Sequence, residues 1–124
     1  MQEVISFLRE QKKFYVATIQ DGRPTIRPFG AVMGLEGKLY IVTSKSKDVY
    51  NQIMQNPNIA ICTCDNNRKW VRIQGIARLD ERTSAKQKML DDNPILLERR
   101  RYTSATDPAM AIFWIDNAKI EWKG

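Results

Sequence analysis

The dipeptide Asp21-Gly22 constrains the fold more than any other feature of this sequence. It joins two β-prone runs, 14–19 and 24–34, and an Asp-Gly pair between such runs is a strong β-hairpin signal. Further β-prone runs are found at 39–44, 58–64, 70–79, 109–115 and 118–123. Six or seven mostly antiparallel strands usually remove their free edges by closing, or nearly closing, into a barrel. We therefore predict a mainly β fold with peripheral helices.

Turn residues and apolar spacing refine this prediction. Pro24 and Pro28 cannot donate ladder hydrogen bonds, so the run 24–34 should be an edge strand or irregular near them. Asp116-Asn117 predicts a turn that separates the last two strands. Apolar residues at helical spacing predict helices at 2–11, 47–56, 82–91 and 94–101. Ser46 is the expected N-cap of the second helix.

The charge composition favours an anionic partner. Lys and Arg number 20 and Asp and Glu 14, a formal net charge of +6, and basic proteins attract nucleic acids and phosphorylated molecules. A merely basic surface is the alternative. The sequence has no histidine, which excludes Ser-His-Asp catalysis and His-liganded zinc. Cys62 and Cys64, without further Cys or His, make a poor metal site, so we expect no metal.

The length and the hydropathy pattern indicate one domain without a targeting segment. A chain of 124 residues suits a single domain, 1–124. The N-terminal run MQEVISFLREQKK has no long apolar stretch and no cleavage site, so we expect no signal peptide. No apolar segment approaches the length of a membrane span. These features predict a cytoplasmic protein with no membrane partner.

The string Thr43-Ser44-Lys45-Ser46-Lys47 has the composition of an anion site. It stands where a predicted strand ends and a predicted helix begins, and free N–H groups at a helix N-terminus attract anions. The hydroxyls add hydrogen-bond donors and Lys47 adds charge, so a phosphate fits the string. A plain helix cap with two solvated lysines is the alternative.

Arg27 is the second cation that we expect at this anion. Strand alternation places Thr25, Arg27 and Phe29 on one face, and arginine is well shaped to bind a phosphate through two parallel bonds. The strands that carry Arg27 and Thr43 are expected to be neighbours, so both side chains could reach one anion. The alternative is an exposed arginine paired with a carboxylate.

Two further stretches suggest a flat ring beside the anion. Pro28-Phe29-Gly30 interrupts regular pairing, and glycine lets a ring approach the backbone, although a plain bulge explains the stretch equally well. Trp70, Arg72 and Gln74 share one strand face. They could wall an aromatic and polar site, stack on single-stranded nucleic acid, or form an ordinary exposed face. The run Arg99-Arg100-Arg101 is expected to be a solvated helix face outside the site.

The order of these motifs resembles the pyridoxamine 5′-phosphate oxidase-related family of flavin mononucleotide (FMN)-binding split barrels. The resemblance covers nearly the whole chain. Its most specific pieces are Gly22-x-Pro24-x-x-Arg27-Pro28-Phe29 and Thr43-Ser44-x-x-Lys47, the latter followed by a helix and Asn56-Pro57. The resemblance implies a six-stranded antiparallel split β-barrel that forms a homodimer, with two FMN sites at the subunit interface.

The resemblance also implies roles for individual residues. The FMN phosphate and ribityl chain would contact Arg27, Thr43, Ser44 and Lys47. The isoalloxazine ring would face the backbone of Pro28, Phe29 and Gly30. The site could be completed, from the second subunit, by Trp70, Arg72 and Gln74. No residue is assigned as catalytic.

The resemblance implies an FMN-dependent oxidoreductase that passes electrons between a reduced donor and a small acceptor. A flavin carrier or redox sensor without turnover would have the same site, and a deazaflavin-binding reductase a similar one. A basic barrel that binds single-stranded nucleic acid through Trp70, Arg72 and the Arg99 cluster is the least favoured alternative. The chain ends at 121–124 without the basic C-terminal segment of pyridoxamine phosphate oxidases, so we do not expect that particular activity.

Overall fold

The computed structural model describes residues 1–124 and contains seven strands and four helices. In chain order the elements are α1 (Gln2–Gln11), β1 (Phe14–Gln20), β2 (Arg23–Phe29), β3 (Val32–Leu35), β4 (Lys38–Ser44), α2 (Asp48–Gln55), β5 (Asn58–Cys64), β6 (Trp70–Asp80), α3 (Thr83–Asp92), α4 (Ile95–Glu98) and β7 (Met110–Lys123). No helix combines the length and the apolar character that crossing a membrane requires.

The strands form one antiparallel sheet in the order β2-β1-β5-β6-β7-β4-β3. The two edge strands, β2 and β3, follow each other in the chain but do not pair. The sheet therefore curls into a barrel that stays open between them. The mainly β split-barrel class predicted from the sequence is confirmed, with seven strands instead of six.

The strands differ from the seven predicted runs in two places: the run 24–34 is two strands, and the last two runs form one strand, β7. β2 pairs with β1 as far as Phe29, and β3 begins at Val32 on the opposite edge of the sheet. Gly30 and Ala31 carry the chain across the opening. The two prolines of β2 are accommodated because this strand pairs on one side only, as the edge prediction required.

The predicted turn at Asp116-Asn117 is wrong, because β7 runs through it as one strand. Asn117 has a φ of 53°, and the register between β6 and β7 shifts between Gln74 and Ile76. The two residues form part of a bulge, which places an extra residue opposite Gly75. A Cβ on Gly75 would lie 2.6 Å from Ile115 Cγ2 and 2.7 Å from the Asp116 carbonyl oxygen. Glycine at this position therefore permits the bulge.

Two apolar cores lie on opposite faces of the sheet. The larger one fills the barrel and is closed by α1 and α2, with Leu8, Phe14 and Ile53 among its buried members. The smaller one lies between the outer face of β3, β4 and β7 and the segment that contains α3 and α4. Leu96 and Tyr102 belong to this second core. They fix the position of the chain between α4 and β7.

Candidate functional site

A cavity of about 400 Å³ lies beside the β2–β3 connection. Its walls come from the α1–β1 turn, the end of β2, the end of β4, the start of α2 and the segment from α4 to Tyr102. The volume lies within the roughly 300–1,000 Å³ range typical of small-molecule sites. The residues that interrupt the sheet edge therefore also form a cleft.

The cavity is strongly cationic. Its lining contains no Asp or Glu and six basic residues, Lys12, Lys13, Arg27, Lys47, Arg99 and Arg101. None of these six takes part in an ion pair. The cations that do are Lys45, Arg72, Arg78, Arg82 and Lys88. The charge of the cavity is thus available to an external anion.

Arg27 extends into a cluster of neutral acceptors beneath α2. Its Nη1 donates to the Val16 carbonyl at 3.0 Å and to Thr18 Oγ1 at 2.8 Å, and its Nη2 donates to Gln52 Oε1 at 2.8 Å. Partial burial lowers the pKa of Arg27, and no carboxylate pairs with it. The alternative of a carboxylate-paired surface arginine is therefore wrong.

The end of β4 and the start of α2 carry the remaining predicted anion contacts. Thr43 is buried and lines the cavity together with Lys47. Ser44 is not part of the lining, and its hydroxyl donates to Tyr102 Oη at 3.2 Å. The N-cap of α2 is Lys47 and not Ser46, and no side chain caps this N-terminus. Its first N–H groups therefore remain open to an anion.

Pro28, Phe29 and Gly30, the stretch predicted to face a flat ring, line the same cavity. The ring of Phe29 packs against that of Phe14, with centroids 6.0 Å apart. A Cβ on Gly30 would meet only the Lys12 carbonyl, at 3.5 Å. Packing within the chain therefore does not require glycine here, and Gly30 is part of the cavity lining.

Trp70, Arg72 and Gln74 share one strand face, as predicted, but this face lies outside the cavity. The register places Arg72 beside Cys62 on β5 and Glu121 on β7. Its Nη2 pairs with Glu121 at 2.9 Å, and its guanidinium lies 5.5 Å from the Trp70 ring centroid. The Nε of Arg72 is buried and has no partner within the chain.

Four cations of the cavity were not predicted from the sequence. Arg99 and Arg101 line it although the whole run 99–101 was expected to lie outside the site, whereas Arg100 does not line it. Lys12 and Lys13 enter from the α1–β1 turn. No sequence motif marks these four positions. Only the packing of α4 and of the α1–β1 turn around the barrel opening brings them together.

The largest pKa shifts lie away from the cavity, in a cluster that joins the β3–β4 turn, β4 and the end of β6. Burial, together with a hydrogen bond to Asp80, raises the pKa of Tyr40 to about 12. The Arg82 guanidinium lowers the pKa of Asp80 to about 2. Arg82 also pairs with Glu36 at 2.8 Å. Every member has a partner, so this cluster stabilises the fold and has no charge left for a ligand.

The chain belongs to the pyridoxamine 5′-phosphate oxidase family, whose model matches residues 1–123. The crystal structure of a NimC/NimA family protein from Clostridium acetobutylicum is similar, with a TM-score of 0.91 and 33% identity over 100% of this chain and 87% of that one. No curated protein matches the sequence.

Two further solved structures share the fold at lower identity. One is a pyridoxamine 5′-phosphate oxidase-related, FMN-binding protein from Nostoc punctiforme, with a TM-score of 0.71 and 19% identity over 98% of this chain and 81% of that one. The other is an F420 reductase, with a TM-score of 0.66 and 16% identity over 94% of each chain. The predicted family is thereby confirmed, and the chain has a fold on which both kinds of protein are built.

Proposed function

We propose that residues 1–124 form a single FMN-binding domain that acts as an oxidoreductase between a reduced donor and a small acceptor. The observation that carries this proposal is the acid-free cavity in which Arg27, Thr43 and Lys47 meet. A phosphate would offset charges that the protein leaves unpaired. The FMN-binding relative from Nostoc punctiforme and the family membership support the same cofactor.

The donor set fits FMN in two parts. The phosphate would be held by Lys47, Arg27 and the uncapped start of α2. The ring would lie against the backbone of Pro28 to Gly30, where the free space above Gly30 admits a flat surface. Bound flavin supplies the electron transfer itself. The chain's own residues bind it and surround it with positive charge, which favours anionic forms of the ring.

Members of this family are typically dimers, and we propose that this chain is one as well. The outer face of β2, β1, β5 and β6 carries Tyr15 and Ile26, which are 44% and 67% exposed. Trp70, Arg72 and Gln74 lie on the same face. A partner subunit that covers this face would bury its apolar residues. The three β6 side chains would then be placed against the partner's cofactor.

Two observations support a second candidate cofactor and a second candidate role. The similarity to an F420 reductase favours a deazaflavin as the second candidate cofactor, since it also presents a phosphate and a tricyclic ring. The cavity lining holds neither a carboxylate nor a histidine, the side chains that most often serve as general bases. This favours a flavin carrier or redox sensor as the second candidate role.

Nucleic-acid binding is disfavoured, because Trp70 and Arg72 do not share a groove with Arg99.

The cofactor proposal predicts a yellow protein that releases FMN on denaturation, at about one molecule per chain. Mass spectrometry of the released molecule separates FMN from a deazaflavin. Oxidation of a reduced nicotinamide by the loaded protein, with and without quinone or nitroaromatic acceptors, separates an enzyme from a carrier. A colourless protein that takes up neither FMN nor a deazaflavin would contradict the proposal.

The dimer proposal predicts that light scattering at micromolar concentration gives twice the mass of one chain. Ile26→Glu should shift the protein toward monomer, because a charge on a covered apolar face must be desolvated. It should also weaken FMN binding if the partner completes the site. Met54→Glu is the matched control, since Met54 is 52% exposed on α2. Wild-type protein that is monomeric at this concentration would rule the dimer out.

A further inference from the structure

We propose that three polar side chains around Arg27 are positioning residues, which hold its guanidinium in place and so make the site prefer a phosphorylated flavin to an unphosphorylated one. They are Thr18, Thr25 and Gln52. None of the three lines the cavity, so each acts on a ligand only through Arg27. This inference rests on the proposed function, because it concerns how Arg27 is presented to the cofactor phosphate.

Acceptors within the protein occupy both Nη groups of Arg27. Nη1 donates to the Val16 carbonyl at 3.0 Å and to Thr18 Oγ1 at 2.8 Å. Nη2 donates to Thr25 Oγ1 at 2.5 Å and to Gln52 Oε1 at 2.8 Å. The Nε–H makes no hydrogen bond within the chain and stays accessible to solvent. Because a guanidinium has five N–H donors, a phosphate in the cavity would meet this fifth one and the positive charge.

The acceptors are themselves fixed by burial and by hydrogen bonds. Thr18 is 1% exposed and Gln52 is 6% exposed. The Gln52 amide donates from Nε2 to Gln20 Oε1 at 3.0 Å, which leaves its oxygen to face Arg27. The Thr18 hydroxyl donates to the same oxygen. Thr18 lies on β1, Thr25 on β2 and Gln52 on α2, so three elements together restrict the rotation of the guanidinium.

An arginine that is fixed before the ligand arrives binds an anion at lower entropic cost. Arginine has high rotamer entropy, and a mobile guanidinium would lose it on binding. Gln52 also ties Arg27 to the helix whose N-cap is Lys47, so the two cations keep a constant relation to each other. Riboflavin has the ring and the ribityl chain of FMN but no phosphate to meet them. The three positioning residues should therefore affect FMN and not riboflavin.

The test compares the affinities for FMN and riboflavin by flavin titration of Thr18→Val, which removes the hydroxyl, and Thr18→Ser, which keeps it. We expect Thr18→Val to weaken FMN about two- to tenfold, the cost of ordering one side chain on binding, and to leave riboflavin unchanged. Thr18→Ser should retain both wild-type affinities. Thr25→Val, at a half-buried position of the edge strand β2, should act as Thr18→Val does. It replaces that variant if thermal unfolding shows that Thr18→Val does not fold.

A double variant shows whether the effect passes through Arg27. With Arg27→Ala already present, Thr18→Val should not weaken FMN further, because the side chain that it positions is gone. Additive losses in the double variant, or equal losses of FMN and riboflavin in Thr18→Val, would overturn the inference. So would unchanged FMN affinity in both valine variants, or a wild type that binds riboflavin as tightly as FMN, although FMN binding itself would then stand. A wild type that does not bind FMN would instead refute the cofactor proposal.

Discussion

Arg27→Ala should weaken FMN binding by roughly 10- to 100-fold, because a hydrogen bond to a charged group is worth about 1.5–3 kcal/mol. Burial lowers the pKa of Arg27, and no protein carboxylate balances its charge. A phosphate in the cavity would supply that balance. Removal of the guanidinium should therefore lower the affinity for FMN more than it lowers the free energy of unfolding.

The measurement is a flavin titration of Arg27→Ala beside Arg100→Ala, which removes the same charge from outside the cavity. Thermal unfolding shows whether Arg27→Ala stays folded. We expect it to, because the Thr18 hydroxyl still donates to Gln52 Oε1 at 2.5 Å without Arg27. Arg27→Lys keeps the charge but cannot reproduce the hydrogen bonds that the two Nη atoms donate to Thr18 and Gln52, so its FMN affinity should fall between those of wild type and Arg27→Ala. Equal affinities for FMN in the Arg27→Ala and Arg100→Ala variants would remove Arg27 from the site.

The β strands and the barrel class could be predicted from the sequence because their signals are local. Asp21-Gly22 takes the positive φ values of 51° and 76° that a tight hairpin requires. Period-two alternation correctly placed Arg27 on the face opposite Pro28, and Arg72 on the face opposite Ile73. In each case neighbouring residues along the chain carried the information.

The errors arose where a choice depends on distant parts of the chain. Whether Asp116-Asn117 turns or bulges depends on Gly75, about forty positions earlier in the sequence. Whether 24–34 is one strand or two depends on which sheet edge lies within reach of Val32. Local propensity cannot distinguish such outcomes, because both chain paths satisfy it.

In the candidate site, too, the residues with local signals were predicted, and those placed by distant contacts were missed. Arg27, Thr43 and Lys47 were expected to meet, and all three line the cavity. Arg99 and Arg101 were missed because a basic run on a predicted helix is usually solvated. Their position follows from the burial of Leu96 and Tyr102 against the second core. That anchoring is a tertiary effect and leaves no signature in the run itself.

Gln52→Glu provides the sharper test of whether the positive charge of Arg27 serves a ligand. Gln52 is buried, and its Oε1 accepts from Arg27 Nη2 at 2.8 Å. A glutamate of nearly the same shape would turn this hydrogen bond into an ion pair and neutralise the guanidinium. FMN binding should then fall about tenfold or more, since the cofactor phosphate loses the counter-charge of Arg27. The fold should keep most of its stability, because the new carboxylate pairs with Arg27 and the Gln20 amide, which now accepts from Gln52 Nε2 at 3.0 Å, can turn to donate to it.

Gln55→Glu is the matched control, because it adds the same charge to an exposed position of the same helix. Thermal unfolding and flavin titration of the two variants separate a structural role from a binding role. If Gln52 and Arg27 only stabilise the barrel, Gln52→Glu should keep both its melting temperature and its affinity for FMN. If the charge of Arg27 is held unpaired for a phosphate, affinity falls while the melting temperature is maintained. Affinity that falls equally in Gln55→Glu would attribute the loss to net charge alone and remove the neutral cluster around Arg27 from the binding mechanism.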